Sequence, residues 1–172
     1  MASWPVRERL VNRDPDTGQP SGLLAEKWEQ KAPDTWRFFL RKGIKFHNGE
    51  AFNAESVAFD INRHVTRNDK ILAYVSTLKE AKVVDEYTVD IVAAQADPIL
   101  PLRMYLAPMF PKQWTQDNTE LAPIQMVGTG PYKFVEWVKG QYIRITANPD
   151  YWGPPPNIKV LLSSENDTLR VQ

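Results

Sequence analysis

Fourteen prolines, running from Pro5 to Pro156, constrain this chain more than any other feature. A proline inside a helix removes a hydrogen bond and clashes with the preceding turn, at roughly 3 kcal/mol. A bundle of long helices is therefore excluded, and many turns are expected. Six tryptophans and six tyrosines supply large aromatic anchors for a core. The 172 residues suffice for one domain with a substantial interior.

Charge and cysteine usage remove several function classes. Lys+Arg and Asp+Glu both number 21, so the net charge is zero and no basic stripe marks a nucleic-acid surface. No apolar run approaches the ~20 residues of a membrane helix. The chain has no cysteine, which excludes disulfides, thiolate metal sites and a thiol nucleophile. This composition fits an exported protein without disulfides and a cytosolic one equally. Met1-Ala2-Ser3-Trp4-Pro5 lacks the charged and apolar segments of a signal peptide. Asp167 to Gln172 reads as the opening of a helix, and the chain is expected to be a piece of a longer protein.

Turns and periodicity place the elements. Arg13 to Pro20 is a polar turn built from Asp, Pro and Gly. Leu23 to Trp28 is a short apolar stretch, and Ala32-Pro33-Asp34 is a second turn. Trp36, Phe38 and Leu40 recur with the period of a half-buried strand. Lys42-Gly43 breaks it, and His47-Asn48-Gly49-Glu50 is a tight turn. Asn53 is a good helix N-cap. Ala54, Val57, Ala58, Ile61 and Val65 then share one face of a helix that ends near Thr66–Asp69. A shorter helix is expected over Ile71–Leu78. Glu80–Val84 and Tyr87–Ala93 form a hairpin about Asp85-Glu86. Asp97-Pro98 opens a helix reaching Leu106, and a helical turn lies around Lys112-Gln113-Trp114. Tyr132–Trp137 and Tyr142–Ala147 pair about Lys139-Gly140, and Ile158–Leu162 is a last strand. Irregular alternation of hairpins and helices gives an α+β class, with a mixed, largely antiparallel sheet and a few flanking helices.

The chemical motifs are sparse. Gly128-Thr129-Gly130 is followed by Pro131 and a strand, not by the Gly-Lys-Ser/Thr and helix of a phosphate loop. It reads as a turn whose glycines meet special dihedrals. His47 and His64 have no partners at metal-ligand spacing and read as surface or half-buried imidazoles. No Gly-x-Ser-x-Gly elbow is present, and no carboxylate sits in a catalytic context. Neither enzyme activity, a cofactor nor a metal site is expected. Trp28, Trp36, Trp137, Tyr151 and Trp152 read as core anchors before ligand platforms.

Six segments in order resemble the family 5 extracellular solute-binding proteins of ABC importers, the oligopeptide, dipeptide and nickel type. They are Leu23–Glu29, Trp36–Gly49, Phe52–Val57, Val84–Val89, Gly128–Phe134 and Asn148–Gly153. Members run to roughly three times this length, which fits two or more lobes. Their first strand and second lobe have no counterpart here. The resemblance implies the first lobe of a two-lobe periplasmic-binding-protein type II fold, with residues 1–127 similar to subdomain Ib and 128–172 to the start of subdomain Ia. It implies a non-enzymatic protein that captures a peptide, a metal chelate or a similar small solute outside the membrane and passes it to an ABC permease. Contact with the membrane would run only through that permease or a lipid anchor. In nickel-binding relatives comparable segments approach the cleft, so Arg103, Tyr105 and Tyr74 are the candidate ligand-binding residues. The Arg103 guanidinium suits a carboxylate on a ligand or chelator, and the tyrosines would form an aromatic wall. A solvated helical Arg103 is the plainer alternative. Three rival roles stay open: a sensing domain of a transcriptional regulator or chemoreceptor, an enzyme on the same scaffold, and a dimerising surface formed by unpaired strand edges.

Overall fold

A computed structural model describes residues 5–67, 75–122 and 124–164 of the chain. It shows an α+β fold with antiparallel sheets throughout the described residues. A short hairpin comes first, β1 (Val11–Arg13) and β2 (Pro20–Gly22). Its turn is held by Asp14, whose Oδ1 accepts from the Asp16 and Thr17 amides at 3.1 and 2.8 Å. Gly18 completes it at φ 70°, a conformation that costs glycine nothing.

Four strands form the larger sheet: β3 (Ala25–Ala32), β4 (Thr35–Leu40), β5 (Leu78–Asp85) and β6 (Thr88–Ala93), in the order β3-β4-β6-β5. Pro33-Asp34 makes one tight connection at the expected turn, joining β4 to β3, which the sequence pattern does not predict as a strand. Glu86-Tyr87 makes the other, one residue past the expected Asp85-Glu86 because Asp85 still belongs to β5. Phe38 lies opposite Trp28 on one side and Val89 on the other. Alternation sends Phe38, Leu40, Val89 and Ile91 into the core.

Helix α1 (Ala54–Arg67) covers that core. Asn53 caps it: Asn53 Oδ1 accepts from the Ser56 amide at 3.1 Å, and Ser56 Oγ accepts from the Asn53 amide at 3.2 Å. This reciprocal pair satisfies donors that a helix start leaves open. Ala54, Val57, Ala58 and Ile61 are buried as their spacing predicts, against Phe46, Phe52 and the sheet. Asn62 reaches β5, where its side-chain amide donates to the Ala81 carbonyl at 2.9 Å and accepts from the Ala81 amide at 2.8 Å.

The next expectations need correction. The first half of Ile71–Leu78, residues 71–74, lies outside the described residues; in the second half Val75–Thr77 is a 3-10 turn and Leu78 already belongs to β5. The helix anticipated from Asp97 starts later and is short. It is α2 (Leu100–Arg103), followed by a 3-10 turn over Met104–Leu106. Asp97 still braces its entry, accepting from the Ile99 amide at 3.2 Å, but Ile99 holds the cap position. Pro101 then sits at the start of the helix, where its missing N–H costs no bond. Helix α3 (Lys112–Asp117) extends the turn expected around Trp114.

A second sheet contains β7 (Tyr132–Val138), β8 (Tyr142–Ala147) and β9 (Val160–Ser164) in that order. Its hairpin turns at Gly140, φ 77°. The last strand sits two residues beyond the expected Ile158–Leu162, and just before it the Lys159 carbonyl accepts from the Ala147 amide and Thr146 Oγ1. Among the described residues, its buried apolar cluster is Tyr132, Ile143 and Ile145, joined by Val6.

The stretch 5–10 joins the parts. Val6 and Pro5 carbonyls accept from the Gly130 and Tyr132 amides, Glu8 carbonyl from Met109, and Leu10 carbonyl from Ala25. A Cβ on Gly128 would lie 2.1 Å from the Val6 oxygen, and one on Gly130 would lie 2.5 Å from the Pro5 oxygen. Neither glycine has a positive φ. The expectation of special dihedrals there is thus replaced by another cause, backbones packed too closely for any side chain.

Candidate functional site

Arg103 and Tyr105 project from the short α2 segment and the turn after it. Arg103 Nε donates to Asp97 Oδ2 at 2.8 Å. Asp97 is nearly buried, with a side chain 5% exposed, while the Arg103 side chain remains 29% exposed. Trp36 Nε1 donates to the Asp97 carbonyl at 3.0 Å, which ties this corner to β4. The guanidinium is thereby held by one edge at the surface of the lobe. Tyr105 packs against the larger core and lies beneath the Arg9 guanidinium, 4.5 Å from the ring centre. Tyr74 lies outside the described residues.

A charged interior supports the same segment at Phe110. Arg7 stacks on the Phe110 ring at 4.1 Å and Arg63 at 4.9 Å, geometry in which a cation meets the negative face of the ring. Arg63 donates to Asp60 at 2.7 Å, and His64 Nε2 lies 3.6 Å from the same oxygen. Asp60 is fully buried, and its Oδ2 has no hydrogen-bond partner. Burial pushes the Asp60 carboxyl up, opposed by His64, Arg63 and Arg7. Burial also lowers Arg7 to about 10, opposed by Asp60. Arg7 is spent on structure: it donates to the Ala122, Gln125 and Val127 carbonyls. Around residues 97–110 the described residues therefore place Arg7, Arg9, Arg63 and Arg103 against Asp60 and Asp97.

The sequence argument missed Asp60, Arg63, Arg7 and Arg9. A signal existed for the first pair. Asp60, Arg63 and His64 have the i, i+3 and i+4 spacing of side chains that meet on a helix. Arg7 and Arg9 meet their aromatic partners across the fold, and no local pattern marks that.

Two grooves lie elsewhere. One, of about 350 Å³, is lined by Lys45, His47, Lys133, Asn148, Asp150 and Trp152 among others. Another, of about 500 Å³, runs along β4 and β6 past Lys27, Phe39, Lys42 and Tyr87. Glu8 lies beneath Trp152, 4% exposed, and its carboxylate accepts from Thr129 Oγ1 at 2.9 Å, Tyr151 OH at 2.7 Å and Trp152 Nε1 at 2.8 Å. Burial raises the Glu8 carboxyl against the pull of those three donors. Trp28, Trp36 and Trp152 pack against the larger core and Trp137 against the smaller. Among the described residues no three His, Asp or Glu side chains are grouped to hold a metal ion, and no helix is long and apolar enough to cross a membrane.

The fold, three antiparallel sheets of two, four and three strands among the described residues, recurs in proteins that bind small solutes. Residues 19–163 match the family of bacterial extracellular solute-binding proteins, family 5 Middle, and the chain belongs to that family. It is 30% identical over 193 residues to the dipeptide-binding protein of Escherichia coli K12, covering 95% of this chain and 36% of the relative. It is 32% identical over 147 residues to the HTH-type transcriptional regulator SgrR of Escherichia coli O6:K15:H31, covering 84% of this chain and 25% of the relative. The crystal structure of NikA from Brucella suis in complex with Fe(III)-EDTA superposes with a TM-score of 0.82 at 31% identity, over 95% of this chain and 34% of that one. The chain thus spans between a quarter and just over a third of the length of these relatives.

Proposed function

We propose that this chain is first-lobe material of an extracytoplasmic solute-binding protein that captures a peptide, a metal chelate or a similar small solute for an ABC permease. The observation that carries the reading is the placement of Arg103 and Tyr105. They share one short segment, the guanidinium is anchored by Asp97 yet partly exposed, and the Tyr105 ring carries a second guanidinium, that of Arg9. A solute carboxylate suits such a fork. Family membership and the likeness to a dipeptide-binding protein and to a chelate-bound NikA support the solute class. Tyr74 joins Arg103 and Tyr105 in the proposed ligand set. Residues 1–127 are assigned to a subdomain Ib-like region and 128–172 to the start of subdomain Ia. Two separate apolar clusters support that division, with Val6 and Met126 reaching across it. Capture then proceeds by closure of a second lobe over the first.

The likeness to SgrR favours a second reading, a ligand-sensing domain of a transcriptional regulator. Both readings predict a solute; they differ in what the longer protein contacts. The test is ligand-induced stabilisation of the longer protein and of this chain with di- to pentapeptides, nickel with and without chelators, and sugars. A single-site ligand at a hundred times its dissociation constant adds ~2.7 kcal/mol. Stabilisation of the longer protein, reduced by Arg103→Lys, is the expected result. Stabilisation unchanged by Arg103→Lys removes Arg103 from the site, and no stabilisation by any panel member removes the reading. Specific DNA binding by the longer protein would decide for the regulator.

A further inference from the structure

His47 sits in the tight turn after β4 and spans to the stretch that leads into β7. Its backbone amide donates to the Gly128 carbonyl at 2.8 Å. Its Nε2 lies 2.9 Å from the Gly130 carbonyl, and the Gly128 amide points at its Nδ1 at 3.4 Å. A carbonyl accepts only, so Nε2 carries the proton; an amide N–H donates only, so Nδ1 must offer its lone pair. The ring therefore fits this place as a neutral imidazole with one defined tautomer. We infer that His47 is a proton-operated clasp between the four-stranded sheet and the three-stranded sheet, closed when the ring is neutral and loosened when it is protonated.

Protonation places an N–H on Nδ1 against the Gly128 N–H, two donors facing each other, while the Gly130 bond survives. The charged groups around the ring do not reverse this. Lys45 and Lys133 line the same groove and add positive charge. Asp150 is there too, but its Oδ2 is engaged by Lys133 at 3.3 Å. Glu8 lies behind Thr129, taken up by its three donors. Burial and Lys133 lower the His47 imidazole below its ordinary 6.5, with the Gly130 carbonyl opposing. A group depressed in the folded state gives stability that is fully present above its unfolded pKa. That stability is lost as pH falls from there through the folded value. The clasp loosens on mild acidification, and the Gly128 amide is the group that loses its partner.

The chain has only two histidines, so ring resonances of His47 and His64 can be assigned and titrated by NMR. From about pH 7.5 to about pH 5, His47 is expected to titrate below 6.5. The Gly128 amide shift should follow the same midpoint. Its exchange protection should fall by about tenfold for each unit of depression. His47→Gln, which keeps an amide donor and cannot titrate, should lose less melting temperature over this range than the native chain. Effects of Glu8 and Asp60 are common to both chains and cancel in that difference. A Gly128 amide that ignores the His47 titration, or an equal fall in melting temperature in both chains, overturns the clasp. If His47→Gln does not fold, the Gly128 amide of the native chain decides alone.

Discussion

The four-stranded sheet buries Phe38, Leu40, Val89 and Ile91 under α1, and its cluster continues through Phe46, Phe52, Leu100 and Met104. In the three-stranded sheet the buried apolar set among the described residues is Tyr132, Ile143 and Ile145, completed by Val6 from the other end of the chain. Polar groups do for the second sheet what apolar mass does for the first. Glu8 draws Thr129, Tyr151 and Trp152 onto the N-terminal stretch, and His47 and Arg7 bind the backbone between 122 and 130. Apolar burial is non-directional and tolerates small shifts, whereas a buried hydrogen-bonded carboxylate demands its donors in place. The two sheets should therefore fail differently.

The largest effect is expected from Phe38→Ala, which empties the centre of the larger core and should cost about 3–5 kcal/mol in urea unfolding. A cost below that of the second-sheet variants would reverse the comparison. Glu8→Ala comes next, at about 1–3 kcal/mol, since it leaves donors at Thr129, Tyr151 and Trp152 unmet. Hydrogen exchange should show its loss of protection concentrated in β7 and β8, with β4 and β6 unchanged. Gly128→Ala should cost a similar or slightly smaller amount, about 1–3 kcal/mol, as the added methyl meets the Val6 carbonyl and parts the two backbones. A neutral Gly128→Ala would mean that the stretch 5–10 yields easily. Asn53→Ala should be the smallest change, about 1 kcal/mol, and should fall on the larger unit alone as earlier fraying of α1. Thermal unfolding followed by helix circular dichroism checks it.

The same contrast explains what was legible before the structure. The Pro33-Asp34 turn, the hairpins at Glu86 and at Lys139-Gly140, and the capped helix from Ala54 rest on interactions within a few residues, and local pattern reveals them, whereas β3, mostly exposed and charged, shows no strand alternation. Arg103, Tyr105 and Tyr74 rest on likeness to nickel-binding relatives and on no local motif, so they stand as proposals. The polar bracing was not legible, because its partners are far apart in sequence: Glu8 meets Tyr151 and Trp152, and Arg7 meets Ala122. Gly128 and Gly130 were recognisable as constrained positions, yet the reason lay in Val6 and Pro5. The apolar pattern of the helix does not single out Asp60, which is fully buried with Arg63 and His64 against it.

Asn62 touches neither the proposed solute face nor the clasp, but it bears on how the molecule behaves in a crowd. Strand β5 lies at the margin of its sheet, with one row of backbone groups turned outward. By taking both the amide and the carbonyl of Ala81, the Asn62 side chain occupies the place where the backbone of a foreign strand would dock. An exposed strand margin is a template for polymerisation. Among the described residues, one helical amide thus acts as a stopper on that margin, filling the docking place opposite Ala81.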